Sequence, residues 1–196
     1  MFETYVIKQQ KEWGEILTNF EMKNRYIVCD ESGAEVFYAG EEGGSFLARM
    51  FLRSLRPFTM RITHPNGEVV LVFKRSFRFM FHHMEILSAS FEKIGSIDWR
   101  FSILTRKYDI LDSSGSVCMN IEGPLFHPWT FHIKKQGQEV GKILKKWSGL
   151  GKEMFTDADT FALSLEANLE ANEKSLLLGA VFLIDFVHFE DNVRRN

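Results

Sequence analysis

Cysteine is nearly absent from this chain of 196 residues: Cys29 and Cys118 are the only two. Two thiols cannot build the disulfide framework of a small secreted domain. The start, Met1-Phe2-Glu3-Thr4-Tyr5, has neither the basic region nor the apolar run of a signal peptide. A cytoplasmic protein, not a secreted one, is the expectation. Tyrosine and tryptophan are scarce, four of each against nineteen phenylalanines. Phenylalanine has no polar handle, so much of it is expected inside the fold or against something apolar. A glycine-rich phosphate loop, a nucleophile elbow and a metal-ligand cluster are all missing, which argues against an enzyme. Six scattered histidines, His82 and His83 among them, do not make a zinc site. A net charge of −2 offers no general attraction to nucleic acid.

The composition, 45% hydrophobic and 26% charged, is that of a folded protein, and the length suits one domain over residues 1–196. Charge is segregated along it. Residues 49–78 hold Arg49, Arg53, Arg56, Arg61, Lys74, Arg75 and Arg78 against Glu68, and residues 132–152 hold six lysines against Glu139. From Glu153 to Glu190 eight acids face Lys174 alone. Two readings stand: solvated faces, or a basic surface for an anionic partner such as lipid headgroups.

The chain also repeats itself. Tyr26-Ile-Val-Cys-Asp30-Glu-Ser32-Gly33 lines up with Tyr108-Asp-Ile-Leu-Asp112-Ser-Ser114-Gly115, and Pro57-Phe-Thr-Met-Arg-Ile62 with Pro128-Trp-Thr-Phe-His-Ile133. Each second motif runs on through a turn glycine, Gly67 or Gly137, to a basic pair, Lys74-Arg75 or Lys145-Lys146. Two pseudo-duplicated halves, about 20–78 and 101–149, are the expectation, with an insertion near Gly40–Ser45 in the first. The turn signals separate short runs rich in Val, Ile, Phe and Thr, such as Val69–Phe73 and Val117–Ile121, which read as hairpins of a closed barrel or sandwich. Lys11–Phe20 is the exception: Trp13, Ile16, Leu17 and Phe20 recur at helical spacing.

The most apolar stretch is Lys174–Glu190, uninterrupted from Leu176 to Ile184. It is shorter than the roughly 20 residues of a membrane span and apolar all round, so it reads as a buried core helix over about 174–189. Asp185 within it needs a partner, expected to be backbone or a basic residue at the barrel mouth.

Arg56-Pro-Phe-Thr-Met-Arg-Ile62, Asn120-Ile-Glu-Gly-Pro124, Val140-Gly-Lys-Ile143 with Lys146-Trp-Ser-Gly149, Phe155-Thr-Asp-Ala-Asp159 and Leu178–Phe186 together resemble the core of the phospholipid scramblases, relatives of the tubby-like and plant LURP-one-related domains. The resemblance implies a β-rich (α+β) fold: a closed antiparallel twelve-stranded tubby-like barrel around a buried C-terminal hydrophobic helix. It also implies ATP-independent, bidirectional movement or binding of membrane phospholipids, stimulated by Ca²⁺. The alternative is a non-transporting, tubby-like regulatory module that binds anionic lipid or a protein partner.

Three attachments of the animal members can be sought here. Their proline-rich N-terminal extension is expected to be absent, as no such stretch precedes Phe2 here. Their palmitoylated cysteine cluster should follow Phe73–Arg78, where this chain has Phe79-Met-Phe-His-His83. Their proposed EF-hand-like loop would start at Asp157, leaving Asp157, Asp159 and Asn168 as weak Ca²⁺ candidates. Phe161 stands at position five and Ala162 replaces the turn glycine, so a half-buried strand is expected after Asp159. For lipid headgroups the candidates are Arg56, Arg61, Lys74, Arg75, Lys142, Lys145 and Lys146, on a protein peripheral to an anionic phospholipid membrane surface. The stretch 141–149 also resembles a nuclear-import signal of animal members, although a strand with basic outward positions explains it.

Overall fold

Apolar and polar side chains alternate along most of the short runs between turns, and alternation puts one face of each run into a core. A computed structural model of the protein describes residues 1–10, 22–42, 57–76, 82–145 and 160–189. It contains twelve strands: β1 (Phe2–Gln10), β2 (Met22–Cys29), β3 (Glu35–Glu42), β4 (Phe58–Thr63), β5 (Val69–Arg75), β6 (His83–Ser88), β7 (Lys93–Arg100), β8 (Thr105–Asp112), β9 (Val117–Pro124), β10 (Thr130–Lys135), β11 (Gln138–Lys145) and β12 (Thr160–Glu166). One helix, α1 (Ala171–His188), follows them. Each strand pairs antiparallel with its chain neighbour, and β1 closes on β12, so the sheet is a complete barrel with no free edge. The helix expected over Lys11–Phe20 lies outside the described residues.

Strand polarity divides the barrel into two ends. At one, which we term the turn end, hairpins close tightly. Asp30 Oδ1 accepts from the Ser32 N–H, the Ser32 hydroxyl and the Ala34 N–H at 2.9, 2.6 and 3.0 Å. Asp112 does the same with Ser114 and Ser116, at 2.9, 2.6 and 3.0 Å. The glycines that follow, Gly33 and Gly115, have φ of 85° and 86°, the left-handed conformation these turns require. The motifs aligned in sequence thus stand six strands apart, β2 against β8 and β4 against β10. At the other, loop end, the connections 101–104 and 125–129 are described in full.

The core is filled by α1, which enters at the turn end and reaches the loop end. Every residue from Leu176 to Phe186 is buried, as the apolar sequence requires. Among them Leu177, Leu178, Val181 and Phe182 pack within the same cluster as inward residues of the strands, such as Phe73, Ile97 and Phe161. A side chain at Gly179 would meet Ile86 Cδ1 at 2.4 Å, so glycine lets the helix lie against β6 without displacing that side chain. The helix start is tied down as well: the Glu170 N–H donates to the Glu173 carboxylate at 3.1 Å, and Lys135 pairs with Glu173 at 2.6 Å. No described helix is long and apolar enough to cross a membrane.

Candidate functional site

The loop end of the core carries charge. Asp185, one turn from the end of α1, is buried at 4% exposure, and its Oδ2 accepts from the Tyr26 hydroxyl at 2.7 Å. Lys145, the last residue of β11, points inward and brings Nζ to 3.9 Å from Asp185 Oδ1. The same ammonium lies 3.8 Å from the centre of the Phe189 ring and 5.3 Å from that of Phe161. On the opposite wall Arg75, the last residue of β5, is also buried, with its guanidinium carbon 5.5 Å from the Phe186 ring and 5.9 Å from the Phe58 ring. Phe58 stacks on Phe186 at 4.3 Å, and Trp129, its counterpart at the head of β10, stacks on Phe189 at 5.6 Å. Asp185 therefore has the basic neighbour at the barrel mouth that its burial demanded.

Two histidines complete this end, both held neutral. Burial, then the nearby Arg75, lowers His82 to a pKa of about 4, and its Nδ1 accepts from Arg75 Nη2. Burial, then Arg106, lowers His188 to about 3. Burial also raises the Tyr108 hydroxyl, which keeps its proton and shares a hydrogen bond with His188 Nε2 at 2.7 Å. The cluster fixes the end of α1 in place; its groups are packed inside the barrel.

Among the described residues, those expected to face lipid headgroups do not converge. Arg75 and Lys145 turn inward, so the expected basic pairs do not lie on one surface. Strand alternation sends Lys74 outward and Arg75 inward. The two hairpins also differ by a residue: Ile62 pairs with Leu71 but Ile133 with Gly141. Arg75 consequently matches Lys145, and the sequence alignment of Lys74-Arg75 with Lys145-Lys146 slips by one. Arg61 and Lys74 share the outer face of β4 and β5, and Arg61 pairs with Glu42. Lys142 stands across the barrel on β11, 3.0 Å from Glu139. Arg56 and Lys146 lie outside the described residues.

The loop expected to offer calcium ligands is corrected in part. Asp157 and Asp159 lie outside the described residues. Asn168, the third candidate, sits exposed at the turn end, beyond the whole of β12. Extended backbone at about 3.3 Å per residue separates it from the start of that strand by roughly 20 Å. Asn168 cannot join a cation held beside Thr160. The strand expected after Asp159 is present, with Phe161, Leu163 and Leu165 inward. Among the described residues no three of His, Cys, Asp and Glu cluster as metal ligands.

At the turn end an apolar cavity of about 220 Å³ opens beside the start of α1, with Val28, Phe37, Leu71 and Leu178 in its wall and Lys174 at its rim. Lys174 donates to Glu3 at 2.9 Å and to the Ala167 carbonyl at 3.1 Å. The inward Arg75 and Lys145, and the bonds of Tyr26 and Tyr108 to α1, escaped the sequence reading. The aligned tyrosines were the available signal, since matched positions on a barrel wall face the same centre.

The Scramblase family model matches residues 1–191. The chain is 32% identical over 199 residues to phospholipid scramblase 1 of Homo sapiens, covering 94% of this chain and 62% of that protein. To phospholipid scramblase 2 of Bos taurus it is 33% identical over 207 residues, covering 94% and 68%. The chain spans about three-fifths of the scramblase 1 proteins of human, mouse and rat: 62%, 60% and 59% of their lengths. In three dimensions it resembles an X-ray structure of an Arabidopsis thaliana protein, with a TM-score of 0.52 at 9% identity, over 98% of this chain and 92% of that one. That likeness bears on the fold alone.

Proposed function

The chain belongs to the phospholipid scramblase family, and from that premise we propose that it acts on phospholipid bilayers from their surface, binding phospholipid and redistributing it between leaflets without ATP. The observation that carries the route is the filled interior: α1 occupies the barrel, and every residue from Leu176 to Phe186 is buried. A headgroup crossing about 30 Å of hydrocarbon needs a polar path along its whole length, and beyond the charges at its loop end this interior is packed with apolar side chains. Lipid then moves around the barrel, through a bilayer disturbed by the docked protein. The protein is not an enzyme in this reading, and it sits at the cytoplasmic face of its membrane. Calcium enters weakly, because Asp157 and Asp159 offer few hard oxygens once Asn168 is set aside.

The same filled interior favours a second reading, a non-transporting module that holds anionic lipid or a protein partner. Liposomes loaded with a fluorescent phospholipid and quenched from outside separate the two. Loss of more than the outer-leaflet signal, without ATP, supports redistribution. Loss of the outer-leaflet signal alone, with protein bound, supports the module. Repeating the assay with Ca²⁺ is expected to change the rate little.

A further inference from the structure

Two neighbouring connections at the loop end display apolar side chains to solvent. Between β7 and β8 stand Phe101, Ile103 and Leu104, and between β9 and β10 stand Leu125 and Phe126. Ile103 is 77% exposed and Phe126 90% exposed. The connections are adjacent because β8 and β9 pair up to Thr105 and Pro124, which sets Leu104 beside Leu125. Five large apolar residues in one place are a patch, not scatter.

We propose that these two loop tips are the membrane-inserting edge of the protein, entering the interface of a phospholipid bilayer with the loop end facing the membrane. The proposal rests on the surface-acting function above and assigns the surface. Shape selects the occupant. Side chains as exposed as Ile103 and Phe126 stand clear of the protein, and fluid acyl chains receive such projections without a matching pocket. The surroundings have the order of an interface. Trp129, with a polar ring N–H, is exposed just behind the tips, where tryptophan favours the headgroup level. The first charge behind the tips is Arg106, opposite Gly123, and the row behind it holds Arg100, Lys107 and Glu122; the sum is positive, and no acid lies between this row and either tip. Arg100 and Lys107 pair with Asp109 and Glu122 at 2.6 and 3.4 Å, so the apolar tips, with the cations behind them, carry the contact.

The test uses the whole chain and phosphatidylcholine vesicles containing phosphatidylserine. The variant I103D/L104D/F126D, and its single member F126D, are compared with F91D, which places one aspartate on an exposed phenylalanine of the β6–β7 turn at the turn end and so matches F126D in charge. All are expected to melt as the parent does, since every site is exposed. Partitioning to vesicles should fall at least tenfold in the triple variant, fall further in F126D than in F91D, and stay within twofold in F91D. An environment-sensitive fluorophore on F126C should brighten and shift to the blue on vesicles. A triple variant that binds as well as the parent overturns the assigned surface while leaving the lipid function standing. If the parent itself ignores these vesicles, the lipid function falls first. A parent that sediments as a dimer without lipid, while the triple variant is a monomer, would show instead that the tips join two copies, which also overturns the proposal.

Discussion

The two ends of the barrel are built by different physics. The hairpins of the turn end are made locally: Asp30 and Asp112 each satisfy their turn within four residues of chain, followed by a left-handed glycine. The loop end is made at long range: Tyr26 reaches Asp185, Tyr108 reaches His188, and Lys145 and Arg75 enter from opposite walls. Local chemistry closes an end cheaply and leaves it plain. The end assembled from distant residues holds the buried charges and the apolar tips.

Removing what the ends share should have the largest effect. Deleting residues 173–189 takes out the core itself, and the product is expected to show no cooperative unfolding by circular dichroism. Leu178→Ala, beside the turn-end cavity, should cost about 2–5 kcal/mol in urea melts. A stable, cooperatively folded protein without the helix would remove the basis for comparing the ends at all.

Lys145→Met tests whether the loop-end charges differ from ordinary core. It strips Asp185 of its neighbouring ammonium and should cost about 3–5 kcal/mol, with K145M/D185N recovering part of the loss. A neutral K145M would show that this end is held by packing alone.

Acid should separate the ends by pH window. His82 and His188 have folded values of about 4 and about 3 against an unfolded value of 6.5. Above pH 6.5 both states are neutral and stability is flat. As pH falls below 6.5 the unfolded chain binds protons that the folded one refuses, so stability falls until the folded values are reached. His188 sets a slope of up to about 1.4 kcal/mol per pH unit, and the more exposed His82 adds less. The turn end titrates lower: hydrogen bonds from Ser32 and Ser114 hold Asp30 and Asp112 below their ordinary 3.8, so their contribution is lost only as pH falls below that value. His188→Gln should flatten the upper window and leave the lower one, as read in melts across pH.

The smallest effect belongs to the side wall. Lys74→Gln removes one outward cation from β5 and should weaken binding to anionic vesicles by about 1 kcal/mol at low salt, with the melting temperature unchanged. A loss as large as that expected from the loop tips would move the contact from the end to the wall.

How much was legible follows the same division. The turns were readable because Asp, Ser and Gly act within one window of sequence, and α1 because its run is apolar all round. Strand count was not: weak alternation finds hairpins without saying how many close a barrel, and the number twelve came from family resemblance. Whether Arg75 or Lys74 faces inward depends on the parity of β5, and the shorter second hairpin hid the match of Arg75 with Lys145. The exposed Phe101 and Phe126 fall under the second half of the expectation for phenylalanine, inside the fold or against something apolar, and their place was not legible because adjacency across β8 and β9 creates the patch.

The closure of β1 on β12 also orders events in time. The first strand can pair with β2 early but cannot find its closing partner until residues 160–166 exist, and the helix that fills the barrel follows them in the chain. A growing polypeptide therefore carries an open, unfilled sheet through most of its synthesis, with sticky edges at β1 and at the newest strand. Its most apolar segment emerges only after the wall meant to enclose it. Closing too early would shut that segment out, so the final step must wind the sheet around α1 as the last ladder zips. Such a late, long-range step predicts slow folding and dependence on chaperones for the nascent chain.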